Sequence, residues 1–353
     1  MNWNIVREDA SRHLNGIGHI LAVTLILSSI PVASAQYASD GFNLGTIRHD
    51  TVVGGVYVDG GHGVGTSPYT EVFTDVPSDL LFARLYVGVK GGTKEATGWV
   101  SVVFNEHDLE TISLAGLNDT NPEVYCSGNG EYWIYYDVAE YVAGGNDNTA
   151  TITTGGKIDG RVKGTALVTV YRDSAETSKE YWICEGNINL NYRTEHDCET
   201  VAFERMFGSS DDLKSATLWT MYLSGNEDVN DTLSFNGHLI AEDAADGGCM
   251  EGGVYVWRDL CFDLDSRDVT EYIQPQNNIT YNRTIDGYLQ PVGAVLIAEH
   301  TGKVPAPSSR STESIPESPP ESPPESPPES IPGFESIVAI TTILISASAV
   351  RRL

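Results

Sequence analysis

Residues 137–142 read DVAEYV, and residues 268–273 read DVTEYI. This recurrence indicates an internal repeat, because further blocks repeat around it at nearly the same spacing. The repeated blocks are FNEH and FNGH at 104–107 and 235–238, IDG at 158–160 and 285–287, and DL at 79–80 and 212–213. The offsets run from 127 residues (158 to 285) to 133 residues (79 to 212). Chance similarity would not hold register over several blocks, so the sequence predicts two homologous domains.

Each copy contains short runs of β-branched and aromatic residues, separated by turns such as Asn129-Gly130 and Asn236-Gly237. Many short strands with regular turns are typical of a sandwich or jelly roll. The helical candidates are single turns at 138–142 and 269–273, opened by Asp137 and Asp268 as N-caps. We therefore predict an all-β fold with two tandem, homologous, jelly-roll-like β-sandwich domains, at residues 36–172 and 173–301. The predicted strands include residues 85–89, 99–104, 131–136, 167–171, 218–223, 232–235, 254–257 and 294–298.

The charge of the chain limits its partners. Its 353 residues include 21 Lys and Arg against 49 Asp and Glu, which gives a formal net charge of −28. Proteins that bind nucleic acid need a basic surface, so we predict no nucleic-acid partner. Attachment to an anionic membrane surface is disfavoured for the same reason.

The N-terminus has the three parts of a secretory signal. Arg7 and Arg12 precede an apolar run at residues 17–30, and a small-residue cleavage site follows. We predict that residues 1–35 are a signal peptide, cleaved between Ala35 and Gln36. The alternative is an uncleaved anchor helix. Either way, the bulk of the chain is expected outside the cell.

The C-terminus predicts a stalk and a membrane-held tail. Residues 302–331 are rich in Pro, Glu and Ser and contain ESPP three times in succession. Proline at this density blocks helix and sheet, so we expect a disordered, extended spacer. Residues 336–350 are apolar or small and are followed by Arg351 and Arg352, as in a short transmembrane helix with its C-terminus in the cytoplasm.

Pro332, Gly333 and Phe334, followed by a short apolar span and an arginine pair, resemble the PGF-type sorting signal of archaeal surface proteins. The resemblance covers residues 332–353. It implies that an archaeosortase-like enzyme removes the tail and that an attached lipid becomes the membrane anchor. An ordinary single-span tail anchor is the alternative.

The two-copy region resembles a family of archaeal surface proteins, the domain of unknown function numbered 3344. Members of that family usually combine a signal peptide, this region and a PGF tail. The resemblance implies no activity and no functional residues. The Asp-Val-x-Glu-Tyr turn followed by a strand also resembles galactose-binding jelly rolls, and this likeness concerns fold alone.

No catalytic motif stands out in the sequence. It lacks the H-E-x-x-H and G-x-S-x-G patterns, and His107 and His238 occupy equivalent turn positions of the repeat. We predict a non-enzymatic, anchored cell-surface protein with a structural, adhesive or ligand-binding role, its partner a glycan or a protein. The alternative is a carbohydrate-active enzyme with a carboxylate pair in a cleft lined by Trp99, Trp133 or Trp257.

Calcium is the one candidate metal, and no organic cofactor is predicted. Residues 226–231 concentrate oxygen ligands, of which Asp228, Asn230 and Asp231 are the candidates. Hard cations prefer such oxygen-rich loops, and calcium is plentiful outside cells. A solvated acidic loop is the alternative.

Cysteines and sequons fit an exported protein. Cys184 with Cys198, and Cys249 with Cys261, are disulfide candidates by their similar spacing, which leaves Cys126 unpaired. Four asparagines are each followed by x-Thr and are predicted glycan acceptors on surface loops. These asparagines are Asn118, Asn230, Asn278 and Asn282.

Overall fold

The structure is a computed structural model of the chain. It describes residues 37–62, 67–158, 160–205, 207, 212–225, 230–245, 250–251, 254–255 and 262–301. The predicted signal peptide with its Ala35–Gln36 cleavage site, the predicted stalk, and the sorting motif at 332–334 lie outside the described residues. Among the residues that are described, no helix is long and apolar enough to span a bilayer.

The described chain consists of strands and turns, which confirms the prediction of an all-β protein. Its helical residues form two short 3₁₀ turns, Gly116–Asn118 and Thr270–Tyr272. The strands of the first half are β1 (Tyr37–Ala38), β2 (Gly41–His62), β3 (Tyr69–Val76), β4 (Leu80–Lys90), β5 (Gly98–Phe104), β6 (His107–Asp108), β7 (Ile112–Leu114), β8 (Val124–Ser127), β9 (Glu131–Asp137), β10 (Asn146–Gly156) and β11 (Arg161–Arg172). The strands of the second half are β12 (Ser178–Ile188), β13 (Leu190–Asn191), β14 (Cys198–Ala202), β15 (Leu213–Tyr222), β16 (Thr232–Phe235), β17 (His238–Glu242), β18 (Met250–Glu251), β19 (Val254–Tyr255), β20 (Asp263–Asp268), β21 (Asn278–Asn282), β22 (Tyr288–Leu289) and β23 (Pro291–His300).

A ten-stranded sheet runs through both halves. Its strand order is β1-β8-β9-β4-β11-β2-β12-β23-β15-β20. From the centre outward, the first half contributes β2-β11-β4-β9 and the second half contributes β12-β23-β15-β20. Strands at the same place in the two series follow one another in the same order along the chain. Their registers match as well, because Leu85 pairs with Tyr136 and the equivalent residue Leu218 pairs with Arg267, the equivalent of Tyr136.

The long strand β2 joins the halves. Its residues 54–62 pair with β11, and its residues 41–53 pair with β12 of the second half. The domain boundary predicted at residues 172 and 173 falls between β11 and β12, which both pair with β2 in the same sheet.

A smaller sheet accompanies each half. The first half has the order β3-β10-β5-β6, with β7 on β5, and the second half has β14-β21-β16-β17. One apolar core joins β4 residues such as Leu85 and Val87 to Phe104 of β5, and a second joins Leu218 of β15 to Phe235 of β16. These side chains alternate along their strands, as expected for residues that face a core.

A third core contains side chains from the opposite face of the large sheet and joins the halves directly. Trp133 of the first half stacks on Phe262 of the second, with ring centroids 5.9 Å apart. A Cβ added at Gly88 would lie 2.2 Å from Leu223 Cδ2, and one at Gly164 would lie 2.2 Å from Phe262 Cβ. Glycine is therefore required at both positions for this close approach.

A buried ionic network also crosses between the halves. Glu185 of β12 accepts hydrogen bonds from Arg84 Nη1 at 3.0 and 2.9 Å, from Tyr86 Oη at 2.8 Å and from Tyr125 Oη at 3.1 Å. A buried carboxylate needs such compensation, because its desolvation costs several kcal/mol, on the order of what a good ion pair returns.

The repeated blocks of the sequence meet at one place in each half. Asn105 Nδ2 donates to Tyr141 O at 2.9 Å and to Asn148 Oδ1 at 2.5 Å. In the second half, Asn236 Nδ2 donates to Tyr272 O at 2.7 Å and to Asn277 Oδ1 at 2.8 Å. In each half, a pair of asparagines thus links the Phe-Asn turn to the Asp-Val-x-Glu-Tyr turn by hydrogen bonds.

The histidines of the repeat pack against this tie. The ring centroids of His107 and Tyr141 are 4.9 Å apart, and those of His238 and Tyr272 are 4.6 Å apart. Each histidine therefore has the same structural contact, as its repeat position predicts. Asp268 Oδ1 accepts the backbone N–H of Thr270 at 2.9 Å, but the N-cap of this 3₁₀ turn is Val269, which makes no side-chain cap bond, so the N-cap position predicted for Asp268 is wrong by one residue. The equivalent residues 138–142, predicted as a helical turn opened by Asp137, form a turn that is not helical.

Candidate functional site

A polar cavity of about 220 Å³ lies between the two halves. It forms where the β8–β9 turn of the first half faces the ends of β12, β15 and β22 of the second half. We call it the interface pocket. Its lining residues are Lys90, Gly128, Asn129, Glu131, Asn189, Asn191, Ser224, Gly225, Tyr288 and Gln290.

Buried amides form the wall of the interface pocket. Gln290 Nε2 donates to Ser127 Oγ at 2.8 Å and to Asn187 Oδ1 at 2.9 Å. Asn187 Nδ2 in turn donates to the backbone carbonyls of Tyr125 and Glu131, both at 2.9 Å. Because both halves contribute to this network, it fixes the pocket wall and holds the halves in register.

A charged group lies at one side of the pocket. Glu131 Oε2 is 3.0 Å from Lys163 Nζ, and Glu131 Oε1 is 3.7 Å from Lys90 Nζ. Lys163 is fully buried and also donates to Ser224 Oγ at 2.9 Å. These acceptors compensate the buried ammonium of Lys163.

The rim presents amides and tyrosine rings. Asn189 Nδ2 donates a hydrogen bond to Ser39 O, and Asn191 Oδ1 accepts one from Arg193 N. The other amide atoms, Asn189 Oδ1 and Asn191 Nδ2, have no partner within the described residues. Tyr288 lines the pocket, and its ring packs edge-on against the ring of Tyr192, with the ring centroids 5.9 Å apart. Tyr192 is half exposed.

This arrangement suits a small polyhydroxylated ligand. Neutral amides offer donors and acceptors together, and a tyrosine supplies an apolar ring with a polar end. The volume is below the range of about 300–1,000 Å³ usual for drug-sized ligands, so one sugar-sized group fits better than a cofactor. Among its described lining residues, Glu131 is the one carboxylate, whereas glycoside hydrolysis ordinarily uses a pair.

One local pattern in the sequence marks part of this pocket. Residues 187–191 read NINLN, an alternation of asparagine with apolar residues along β12 and β13. Alternation places the three asparagines on one face, with Ile188 and Leu190 on the other, where both are fully buried. Asn187 enters the amide network, and Asn189 and Asn191 line the pocket. The remaining lining residues come from distant segments and carry no local pattern.

The predicted tryptophan cleft is not assembled by the described residues. Trp133 is fully buried in the core between the halves, and Trp99 is partly exposed on β5. Trp257 lies outside the described residues.

Two of the three candidate calcium ligands are described, and they differ in exposure. Asp228 lies outside the described residues, Asn230 is exposed, and Asp231 is fully buried. Asp231 Oδ1 accepts the backbone N–H of Ala244, and Oδ2 has no hydrogen-bond partner. Burial raises the pKa of Asp231 to about 7, and the carboxylates of Asp286 and Asp243 add to the shift. Within the described ranges, no group of three or more His, Cys, Asp or Glu is arranged to hold a metal.

Three cysteines are described, and all are free thiols. Cys184 is buried on β12, with Sγ 3.4 Å from Thr46 Oγ1, while Cys198 is exposed on β14. The structure thus does not form the Cys184–Cys198 bridge that the spacing predicts. Burial raises the pKa of the Cys184 thiol to about 12 and also raises that of Cys126. Cys249 and Cys261 lie outside the described residues.

The sequon asparagines differ in exposure. Asn118, at the end of a 3₁₀ turn, and Asn230 are exposed. Asn278 and Asn282 alternate with the buried Ile279 and Tyr281 on β21, so they are half-buried on the outer face of the four-stranded sheet.

The fold and the pocket define a class: an all-β protein of two topologically matching halves with a polar pocket between them. A family profile matches residues 36–299, and its description is "Protein of unknown function (DUF3344)". The chain belongs to this family. No curated protein sequence matches it.

Similarities to solved structures are distant. A peptide-N(4)-(N-acetyl-beta-D-glucosaminyl) asparagine amidase is 12% identical with a TM-score of 0.25, over 72% of this chain and 98% of that chain. The ANX1 ectodomain from Arabidopsis thaliana is 8% identical with a TM-score of 0.26, over 75% and 92%. BuGH86 in complex with neoagarooctaose is 8% identical with a TM-score of 0.24, over 74% and 35%.

Proposed function

We propose that the protein is an exported, C-terminally anchored cell-surface protein that binds a saccharide in the interface pocket. Its two halves are, in this proposal, the tandem β-sandwiches of the internal repeat, carried on the proline-rich stalk of residues 302–331. The role is binding or adhesion rather than catalysis.

The pocket lining carries the proposal. Asn189, Asn191 and Asn129 surround a cavity of about 220 Å³ that also contains Tyr288. Sugar hydroxyls both donate and accept, which matches side-chain amides, and the C–H face of a sugar ring packs on an aromatic ring. A site of this size takes one sugar residue, either free or as part of a longer chain.

Export and anchoring are supported by the sequence alone. The signal-like segment of residues 1–35 supports secretion, and the tail at 332–353 supports attachment through a transmembrane helix or a lipid added by an archaeosortase-like enzyme. The sequons at Asn118 and Asn230 are exposed, which suits glycosylation of an exported chain.

A glycan array probed with the mature protein, followed by calorimetry on the best-binding saccharide, tests the binding proposal. We expect one site per chain and a loss of affinity of about tenfold or more in Asn191→Ala and in Tyr288→Ala. Asn146→Ala is the matched control, since this exposed amide makes one local bond to Gly144 O. An array without hits, or equal losses in the control, would overturn the proposal.

A further inference from the structure

The interface pocket contains one cation among its described lining residues, Lys90 at the end of β4. Lys90 stands directly opposite Glu131 of β9, so both side chains leave the same face of the sheet. Lys90 Nζ lies 3.7 Å from Glu131 Oε1, which is within ion-pair range but too long for a hydrogen bond. The Lys90 side chain is 22% exposed, so its ammonium is partly withdrawn from water.

Glu131 is shared between two lysines. Its Oε2 lies 3.0 Å from Nζ of the fully buried Lys163, a shorter distance than that from its Oε1 to Lys90. One carboxylate carries a single charge and does not neutralise two ammonium groups. Because the buried ammonium loses most hydration, Glu131 acts chiefly as the counterion of Lys163, and Lys90 retains most of its charge for a ligand.

Lys90 also retains its hydrogen-bond donors. An ammonium group has three N–H donors and no acceptor. Within the described part of the chain, no oxygen accepts a hydrogen bond from Lys90 Nζ. A cationic donor in a concave site is suited to an anionic acceptor, since hydrogen bonds between charged groups are roughly twice as strong as neutral ones.

The overall charge of −28 does not decide what this pocket binds. Exposed charges are screened over about 8 Å at physiological ionic strength, whereas a ligand in the pocket would touch Lys90 directly. The one carboxylate among the described lining residues is Glu131, which is engaged by Lys163. At contact range, the lining therefore favours a negative group on the ligand.

The neutral groups of the pocket complement this cation. Asn189 and Asn191 present amide atoms suited to hydroxyl groups, and Tyr288 presents an aromatic ring suited to the C–H face of a sugar. A sugar residue that carries a carboxylate uses both features at once. Its hydroxyls bond the amides, and its carboxylate bonds the ammonium.

We propose that the interface pocket selects an acidic sugar residue, a hexuronate, whose carboxylate is bound by Lys90. This inference rests on the proposed saccharide-binding function and deepens it by naming the class of sugar. Lys90 is then the residue that determines specificity for the acidic sugar, and the asparagines bind the features that all hexoses share.

Calorimetry of the full mature protein with methyl glycosides of the gluco, galacto and manno series tests the proposal. Each series contains the hexose, the hexuronate and the hexuronamide, which differ at C6 alone. The uronamide keeps the shape of the uronate without its charge. In the series that binds best, we expect the uronate to bind about tenfold or more tightly than either neutral sugar.

Variants of Lys90 locate the preference. In Lys90→Met, which keeps an unbranched side chain without the charge, the ratio of uronate to uronamide affinity should fall to within about twofold of one. Lys90→Arg, which keeps the cation, should retain a preference for the uronate. Lys214→Met is the matched control, because Lys214 also pairs with a glutamate, Glu299 at 2.8 Å, but is 55% exposed at the opposite end of β15. It should leave the ratio within about twofold of the parent value.

Several results would overturn this inference while leaving the saccharide proposal intact. These are equal binding of uronate and uronamide by the parent, or an unchanged ratio in Lys90→Met, which would make Lys90 a support of the pocket wall. Tighter binding of a hexose 6-sulfate would assign a sulfated sugar instead, and displacement of the uronate by equimolar acetate would reduce the site to simple anion binding. Absence of binding by every sugar, together with a glycan array without hits, would overturn both proposals.

Discussion

At the residue scale, Asp231 makes stability depend on pH. Its folded-state pKa is about 7, above the ordinary value of 3.8, because the carboxyl is buried near Asp286 and Asp243. Between pH 4 and pH 7 the unfolded chain loses this proton while the folded chain keeps it. The folded state then binds more protons, so the free energy of unfolding falls as pH rises through this window.

We expect Asp231→Asn to remove this loss. The free energy of unfolding of the variant, relative to that of the parent, should therefore rise by roughly 2 kcal/mol between pH 4 and pH 7. Urea unfolding at both pH values measures the difference. Asp268→Asn is the control with the opposite sign. Hydrogen bonds from Thr270 lower the pKa of Asp268, so its contribution is present above pH 4 and is lost in acid. A parent-to-variant difference for Asp231 that does not change with pH would contradict the expectation.

At the element scale, the asparagine pair ties two turns in each half. Asn105 has a φ of 48°, so it stands in the left-handed region, and its amide also accepts the N–H of Thr149 at 2.8 Å. We expect Asn105→Ala to lower the free energy of unfolding by about 3 kcal/mol, from lost hydrogen bonds and from backbone strain. Urea denaturation measures it.

Asn105→Gly separates the two causes, because glycine accepts the left-handed backbone without strain. We expect it to recover about 1 kcal/mol of the loss. The equivalent Asn236→Ala should behave in the same way, with φ of 51° and the same set of bonds. A glycine variant as stable as the parent would show that the amide bonds contribute nothing.

At the scale of the whole molecule, the close approach of the halves depends on glycine at 88. We expect Gly88→Ala to lower the free energy of unfolding by about 1–3 kcal/mol, because the added carbon would collide with Leu223. Gly88→Ala in a Leu223→Ala background should cost less than the sum of the single changes. Gly45→Ala, where a Cβ meets nothing within 4 Å, is the control and should be nearly neutral.

Also at this scale, the proposed processing predicts the mass of the native protein. We expect a chain that starts near Gln36 and ends near Pro332, with added lipid and glycan mass, when the protein is recovered from its own membrane. Intact mass spectrometry measures this. Retention of Arg351 and Arg352 would contradict tail removal and leave a transmembrane anchor, and a chain that ends near Pro332 without lipid would indicate a released protein.

The sequence alone determined the all-β class and the internal repeat. Both follow from local signals, since β-branched runs, turn residues and recurring blocks each act within a few neighbouring residues. The structural role of His107 and His238 was predictable for the same reason, because equivalent repeat positions acquire equivalent contacts. The alternation of asparagines at 187–191 is also a local signal. It indicates a polar face of a strand but does not show what packs against that face.

How the halves meet, and what lies between them, follows from the tertiary structure and not from any local pattern. The sharing of β2 by β11 and β12, the packing of Leu223 on Gly88, and the pairing of Glu131 with Lys163 join residues far apart in the chain. Such pairings depend on strand register and on how one sheet packs across another, which no local pattern records. The interface pocket therefore became visible only when both halves were placed in one ten-stranded sheet.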